Sequence, residues 1–183
     1  MGKYTHADAK YRLTIEEIDR TIKSNTNRVW VNQLIVCLYY FGLRISEALT
    51  LRPMDFKKYT HKKSGRVYLQ VRSPTLKNKN QEHRTLYIPM DQPHIEDLYN
   101  YARSVSSPTV FEFSRQWCRV MIQRLMPLVS PHVFRHNRLD DFAQNEESEF
   151  GLQSWAGWSD SRPAKIYVQP INARKTADRQ FPE

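Results

Sequence analysis

A nearly continuous apolar segment from Asn27 to Phe41 is the feature that most constrains how this chain of 183 residues can fold. Apolar side chains, among them Leu34 and Val36, occupy almost every face of a helix drawn through the segment. A helix without a polar face must be covered on all sides, so it has to run through the middle of a core. Gly42 follows directly and is typical of a helix C-terminus. The sequence therefore predicts a domain built around one central helix.

Other helices are indicated by capping signals and by apolar period. Thr14 and Glu17 have the spacing of a capping box, which predicts the start of an amphipathic helix before the central one. After Asp91 the apolar period is helical, with breaks near Pro108 and near Pro131. The second half of the chain should therefore be entirely helical.

Two runs of alternating apolar residues, over 67–71 and 85–88, predict two strands with one buried face each. The polar residues between them predict an antiparallel hairpin with a long, lysine-bearing tip. Residues 57–66 are basic and predict a turn region ahead of the hairpin. Together with the helices, this gives a mainly helical α+β fold with a small antiparallel sheet.

Charge and composition narrow the classes of function. The chain has 28 Lys or Arg against 19 Asp or Glu, a formal net charge of +9, which attracts polyanions such as nucleic acid. Its five glycines form no G-x-G-x-x-G or G-x-x-x-x-G-K pattern, which argues against nucleotide-cofactor folds built on those loops. The longest apolar run, 34–41, is far short of the roughly 20 residues of a membrane helix. We expect no cofactor, no membrane association and a cytoplasmic, nucleoid-associated protein.

Residues 130–135, with the sequence SPHVFR, predict a helix start, because Ser favours the N-cap and Pro the first helical position. His132 and Arg135 are three residues apart and share one side of the first turn. Together with the helix dipole they would bind an anion; the alternative is a solvated helix end. His136 aligns with apolar positions, which indicates a packed histidine. No third ligand accompanies the two histidines to hold zinc, so we expect no metal.

Arg44 lies at the edge of a short helix predicted after Gly42. A guanidinium held there is pre-organised to bind a phosphate or a carboxylate in bidentate fashion. It can equally form a purely structural pair with Glu47. The local pattern leaves both interpretations open.

Four segments together resemble the catalytic domain of tyrosine recombinases, the phage-integrase and Xer-like family, in order and in approximate spacing. The last also resembles archaeal-type members, in which Gly-Trp-Ser precedes the tyrosine. The resemblance covers residues from about 11 to 170. The segments are GLRISEALTL (42–51), TLKNKN (75–80), HVFRH (132–136) and WAGWSDSRPAKIYV (155–168).

The resemblance implies an enzyme with six catalytic residues: Arg44, Lys77, His132, Arg135, Trp158 and Tyr167. Tyr167 would be the nucleophile that forms a 3′-phosphotyrosine intermediate with DNA, without metal or ATP. Lys79 is the second choice for the lysine. Trp158 stands where most relatives have His, but relatives with Trp there are active. Recombination or integration of DNA, in an archaeal or viral mobile element, would be the function.

These residue types suit phosphoryl transfer. A phenol has an ordinary pKa of about 10 and is a poor nucleophile until its proton is removed and the charge on phosphorus is balanced. Arg44 and Arg135 would balance that charge, His132 would take the proton or steady the phosphate, and the hairpin lysine would protonate the leaving 5′-hydroxyl.

Basic residues outside this set are expected to bind double-stranded DNA, although each can also be a solvated charge. Phosphate contacts of this kind position the duplex without reading its sequence. The residues are Lys57, Lys58, Lys62, Lys63, Lys79, Arg115 and Arg119.

The resemblance also sets expectations for domain organisation. We expect a single catalytic domain over residues 1–170 and a tail helix over 171–183 that exchanges between protomers. The N-terminal helical domain of the family has no counterpart, so we expect either a fragment of a protein that forms a tetramer on DNA, which we favour, or a naturally minimal enzyme. A type IB topoisomerase and a non-catalytic DNA-binding relative are the alternatives.

Overall fold

A computed structural model of the protein describes residues 11–75, 83–145 and 148–168. Within these ranges no helix is long and apolar enough to cross a bilayer. The elements, in chain order, are helices α1 (Ile15–Ser24), α2 (Val29–Phe41) and α3 (Ile45–Ala48), a 3-10 turn (Pro53–Asp55), strands β1 (Phe56–Thr60), β2 (Val67–Pro74) and β3 (His83–Pro89), and helices α4 (Ile95–Ser104), α5 (Arg115–Leu125), α6 (Pro131–Asn145), α7 (Glu149–Ala156) and α8 (162–168).

Helix α2 is the centre of the domain, as the sequence predicted. Most of its side chains are buried, and it contacts α1, α3, α4, α5, α6 and β3. It ends at Gly42, whose φ of +54° lies in the left-handed region and whose N–H donates to the carbonyl of Leu38 at 3.0 Å. An added Cβ on Gly42 would come within 2.8 Å of the Trp155 ring. Only glycine therefore fits at the point where α2 meets the residues that follow.

The capping box of α1 is also confirmed. The Glu17 N–H donates to the Thr14 hydroxyl at 3.3 Å, and the Thr14 N–H donates to the Glu17 carboxylate at 3.0 Å. Each bond satisfies a backbone donor that the first turn would otherwise leave exposed.

The sheet has three antiparallel strands in the order β1-β2-β3, one more than predicted. The β2–β3 hairpin is confirmed, with Leu69 opposite Ile88 and Val71 opposite Leu86 on the buried face. The prediction of a turn over 57–66 was wrong for its first part, because β1 pairs with β2. Only Phe56 of β1 is buried, so this edge strand has no alternating apolar pattern to reveal it. The tip of the hairpin, 76–82, lies outside the described residues.

Two apolar clusters hold the domain together. The larger one surrounds α2 and includes the buried face of the sheet. The smaller one joins α6, α7 and α8, and Trp155 packs against both. Helices α7 and α8 are therefore attached mainly through a core of few side chains, which are Leu139, Ala143, Leu152, Ala156, Ala164 and Val168.

Candidate active site

Arg44 is the N-cap residue of α3, and its charge is held by the carboxylate of Glu47 one turn later. The Arg44 Nη1 atom donates to Glu47 Oε1 at 2.6 Å, and the Arg44 backbone N–H donates to Oε2 at 2.9 Å. The Glu47 side chain is fully buried, whereas that of Arg44 is 16% exposed. The structural pair that the sequence left open is therefore present, and it fixes the guanidinium at the domain surface.

Arg135 lies in the second turn of α6, which begins at Pro131 as predicted. Its Nη1 donates to the carbonyl of Gly42 and its Nη2 to that of Ala156, both at 2.8 Å. Nη1 is also 3.9 Å from Glu47 Oε2. Burial lowers the pKa of the Arg135 guanidinium, and the positive charges of Arg44 and Arg84 lower it further. Arg135 thus ties the ends of α2 and α7 to α6 and places a second cation beside Glu47.

Tyr167 on α8 contacts α6 at His136, the residue that follows Arg135. Its hydroxyl oxygen is 2.6 Å from Nδ1 of His136, and both side chains are partly buried. The phenol donates in this hydrogen bond when His136 carries its proton on Nε2. His132, one turn earlier on α6, is exposed. The structure therefore brings His136, which the sequence assigned to packing, directly onto the hydroxyl of the predicted nucleophile.

Trp158 links Tyr167 to Arg135. The rings of Trp158 and Tyr167 stack with their centroids 6.1 Å apart, and the Arg135 guanidinium lies 5.8 Å from the centroid of the Trp158 ring. Trp158 follows Gly157, which ends α7 in the left-handed conformation with a φ of +65°. The backbone turn at Gly157 thus aims the indole between the buried arginine and the phenol.

Four of the six predicted catalytic residues therefore form one connected group: Arg44, Arg135, Trp158 and Tyr167. His132 lies on α6 one turn before Arg135 and His136. Lys77 and Lys79 lie outside the described residues. No three His, Cys, Asp or Glu side chains in the described ranges are grouped so that they could hold a metal ion.

Two residues of this group were missed by sequence reasoning. Arg84 is buried on β3 and donates from Nη2 to Glu47 Oε2 at 3.0 Å. His136 contacts Tyr167. The alternation of β3 carries a signal for Arg84, because it shares the inward positions of Leu86 and Ile88. The contact of His136 depends on α8, and no local pattern indicates it.

The predicted DNA-binding residues that the structure describes are mostly exposed. Lys57 is exposed on β1, Lys62 and Lys63 in the turn that follows, and Arg115 and Arg119 on α5. Lys58 is also exposed, but its charge has partners. The Lys58 ammonium lies 3.4 Å from a carboxylate oxygen of Glu96 and 4.9 Å from the ring centroid of Tyr99.

Comparisons with known proteins give matches only at the level of structure. No model of a known protein family matches the chain, and no curated protein matches it. The solved structure of the XerH site-specific recombinase bound to palindromic difH substrate superposes with a TM-score of 0.68 at 19% identity, over 91% of this chain and 52% of XerH. The XerA recombinase gives a TM-score of 0.65 at 18% identity, over 94% of this chain and 66% of XerA.

The catalytic domain of bacteriophage HP1 integrase gives a TM-score of 0.59 at 18% identity, over 93% of this chain and 94% of that domain. The chain spans about half the length of XerH but nearly all of the HP1 domain. It therefore has the fold of the tyrosine-recombinase catalytic domain, which confirms the mainly helical fold with a small antiparallel sheet that the sequence predicted.

Proposed function

We propose that this chain is the catalytic domain of a site-specific DNA recombinase or integrase in which Tyr167 attacks a DNA phosphodiester. One observation carries the proposal. Arg44 and Arg135, far apart in the sequence, converge on the carboxylate of Glu47, and Trp158 connects them to Tyr167. A buried cationic centre next to a phenol is what transfer of a phosphoryl group to tyrosine requires, because the charge that develops on phosphorus has to be balanced.

In the proposed reaction the Tyr167 oxygen forms a bond to phosphorus while the bond from phosphorus to the 5′-oxygen breaks. The product is a 3′-phosphotyrosine and a free 5′-hydroxyl. Because the new linkage is also an ester of phosphate, a 5′-hydroxyl from another duplex can reverse the step and complete strand exchange. Arg44 and Arg135 bind the non-bridging oxygens and stabilise the charge that forms on them.

Proton transfer accompanies both bonds. The phenolic proton passes to an imidazole, and His136 is the one that touches the Tyr167 oxygen at 2.6 Å. His132, exposed one turn earlier, steadies the phosphate. The departing 5′-oxygen takes its proton from Lys77 of the hairpin, with Lys79 as the second choice. The indole N–H of Trp158 is a further donor to a phosphate oxygen.

The partners of the chain follow from the same proposal. The XerH structure holds difH substrate, and we propose double-stranded DNA as the substrate here. The full-length protein would assemble as a tetramer on DNA, with the tail over 171–183 exchanged between protomers. That tail lies outside the described residues.

The experiment that tests the proposal is trapping of a covalent adduct on a nicked suicide duplex, which loses the 5′-hydroxyl needed for reversal. The parent chain should form an SDS-resistant protein–DNA adduct. Tyr167→Phe should abolish it, because the ring remains but the nucleophilic oxygen is gone. Tyr101→Phe is the matched control. Tyr101 lies on α4 and stacks on Phe111, neither of which belongs to the site, so this variant should retain the adduct. An adduct that survives Tyr167→Phe would place the nucleophile elsewhere.

A second assay separates recombination from relaxation of supercoils, the activity of type IB topoisomerases. Two duplexes with different labels are incubated together with the protein, and joined products that carry both labels are measured. Strand exchange is expected. Relaxation of a supercoiled plasmid without any joined product would favour the topoisomerase assignment.

A further inference from the structure

Arg84 provides a third guanidinium in the candidate active site, and two of its nitrogen atoms have no hydrogen-bond partner among the described residues. It lies on the inward face of β3 with its side chain 7% exposed. Nη2 donates to Glu47 Oε2, but Nε and Nη1 have no hydrogen-bond partner among the described residues. A buried polar donor without a partner is costly, so two unused donors on one side chain indicate a missing acceptor.

The charge around Glu47 is also unbalanced. Three guanidinium groups form ion pairs with the Glu47 carboxylate in the described part of the chain. They belong to Arg44, Arg84 and Arg135. Three positive charges against one negative charge leave an excess of two. Burial lowers the pKa of Arg84, and Arg44 lowers it further against the opposing effect of Glu47. The free protein therefore holds positive charge that an anion would stabilise.

Arg84 borders an open cleft. A cavity of about 550 Å³ between β3 and α7 is lined by Arg84, Thr75 and Trp158, among others. Arg84 Nη1 lies directly against Gly157, where an added Cβ would approach it to 2.6 Å. Trp158 borders the cleft and stacks on Tyr167. Arg84 and Trp158 therefore border the same cleft, and Trp158 connects it to the phenol of Tyr167.

The excess charge matches the reaction proposed above. A phosphodiester carries one negative charge, and attack by a phenolate adds a second as the new bond to phosphorus forms. Among the groups that meet at Glu47, two arginines would leave an excess of one positive charge, which matches the charge of the ground state. A third guanidinium raises the excess to two, which balances the transition state. A cation that is needed only in the transition state accelerates the chemical step more than it tightens binding.

We propose that Arg84 is a catalytic residue that donates from Nε or Nη1 to a non-bridging oxygen of the phosphodiester attacked by Tyr167. Arg84 keeps all its protons throughout the step. The electron pair of the breaking bond leaves with the 5′-oxygen. This inference rests on the proposed function, because it assigns Arg84 a part in that reaction.

The test compares Arg84→Met, which removes the charge but keeps much of the side-chain length, with the parent on two nicked duplexes. One duplex has the normal phosphodiester, and the other has a methylphosphonate at the scissile position, so its transition state carries one negative charge less. On the diester, Arg84→Met should slow single-turnover adduct formation by about 100-fold or more, the loss typical of one oxyanion donor. The DNA concentration at half-maximal rate should change little. On the methylphosphonate, the difference from the parent should fall below about tenfold.

Arg138→Met is the matched control. Arg138 lies on α6 beside Gly42, its Nε also lacks a partner among the described residues, and its guanidinium stacks on Trp155 without an ion pair to Glu47. This variant should behave as the parent on both duplexes. If Arg84→Met does not fold, Arg84→Gln takes its place, because it also removes the charge, and the same pair of results is expected.

The outcomes separate this inference from the proposed function. An Arg84 variant that matches the parent on the diester, or loses the same factor on both duplexes, overturns the role of Arg84 and leaves the recombinase proposal intact. A parent chain that forms no adduct on the diester overturns both.

Discussion

Gly157 combines two constraints at a single residue of the site. Its φ of +65° is in the left-handed region, which costs other residues about 1 to 2 kcal/mol. An added Cβ would also lie 2.6 Å from Arg84 Nη1 and 2.6 Å from Thr75 Cγ2. Arg84 cannot move away freely, because it is buried and bonded to Glu47. Both the backbone and the packing therefore require glycine here.

Gly157→Ala should accordingly lower the melting temperature by about 5 to 10 °C, since each kcal/mol corresponds to about 2 to 4 °C in a domain of this size. Thermal unfolding followed by circular dichroism checks this. Gly65→Ala is the control, because Gly65 has a φ of +68° but no atom within 4 Å of an added Cβ. It should show the backbone cost alone, about 2 to 8 °C and less than the shift of Gly157→Ala. Equal shifts for the two variants would mean that the contact with Arg84 is not tight.

At the residue scale, the sequence predicted those residues of the candidate site that a short local pattern indicates. The possible pairing of Arg44 with Glu47 and the helix start before Arg135 were visible in short windows. Arg84 and His136 were not found, since their partners are Glu47 on α3 and Tyr167 on α8, which are distant in the chain. The alternation of β3 places Arg84 on the inward face, but no local period indicates that Glu47 and Tyr167 are the partners of Arg84 and His136.

The local stability of helices α7 and α8 depends on the smaller apolar cluster. Leu152 of α7 is fully buried in that cluster, whereas Leu34 of α2 is fully buried in the larger one. Elements with few buried contacts open at lower free energy than the global unfolding. We therefore expect α7 and α8, which position Trp158 and Tyr167, to open separately from α2.

Leu152→Ala should accelerate amide hydrogen exchange over 149–168 by about 30-fold, for a loss of about 2 kcal/mol at the lower end for a buried leucine. Amides of α2 should keep their protection. Leu34→Ala is the matched variant and should lower the protection of the whole domain. Exchange measured by mass spectrometry distinguishes the cases, and a uniform loss of protection in Leu152→Ala would show that the two clusters unfold as one.

Strand β1 shows why an element can be missed although its neighbours are predicted. Lys57, Lys58 and Thr60 give it a polar sequence, and its single buried residue is Phe56. It is a strand because β2 offers an unpaired edge, and such long-range pairing outweighs local propensity. The amphipathic helices and the β2–β3 hairpin were predictable because each buries one face of a regular period, whereas α2 was predictable from its unbroken apolar segment.

At the scale of the whole molecule, the net charge of +9 should appear as DNA affinity that depends steeply on salt. Association with phosphates releases counterions, and about five phosphate contacts would reduce the affinity roughly 500-fold between about 50 and 200 mM salt. Fluorescence anisotropy of a short labelled duplex measures this. Tight binding that is insensitive to salt would contradict an interface dominated by the exposed lysines and arginines.

The adjacent lysines of β1 allow the salt dependence of DNA binding to be tested at single residues. Successive side chains of a strand point to opposite faces, so the two lysines have different surroundings. Lys57 is exposed and makes no ion pair with any residue in the described ranges, whereas Lys58 is engaged by Glu96 and Tyr99. Lys57→Gln should reduce the slope of log affinity against log salt by about 0.9, the value for one phosphate contact. Lys58→Gln should leave the slope nearly unchanged, since its charge is already compensated by a carboxylate. If both variants reduce the slope equally, DNA displaces Glu96 from Lys58, and the duplex then extends across the edge of the sheet towards α4.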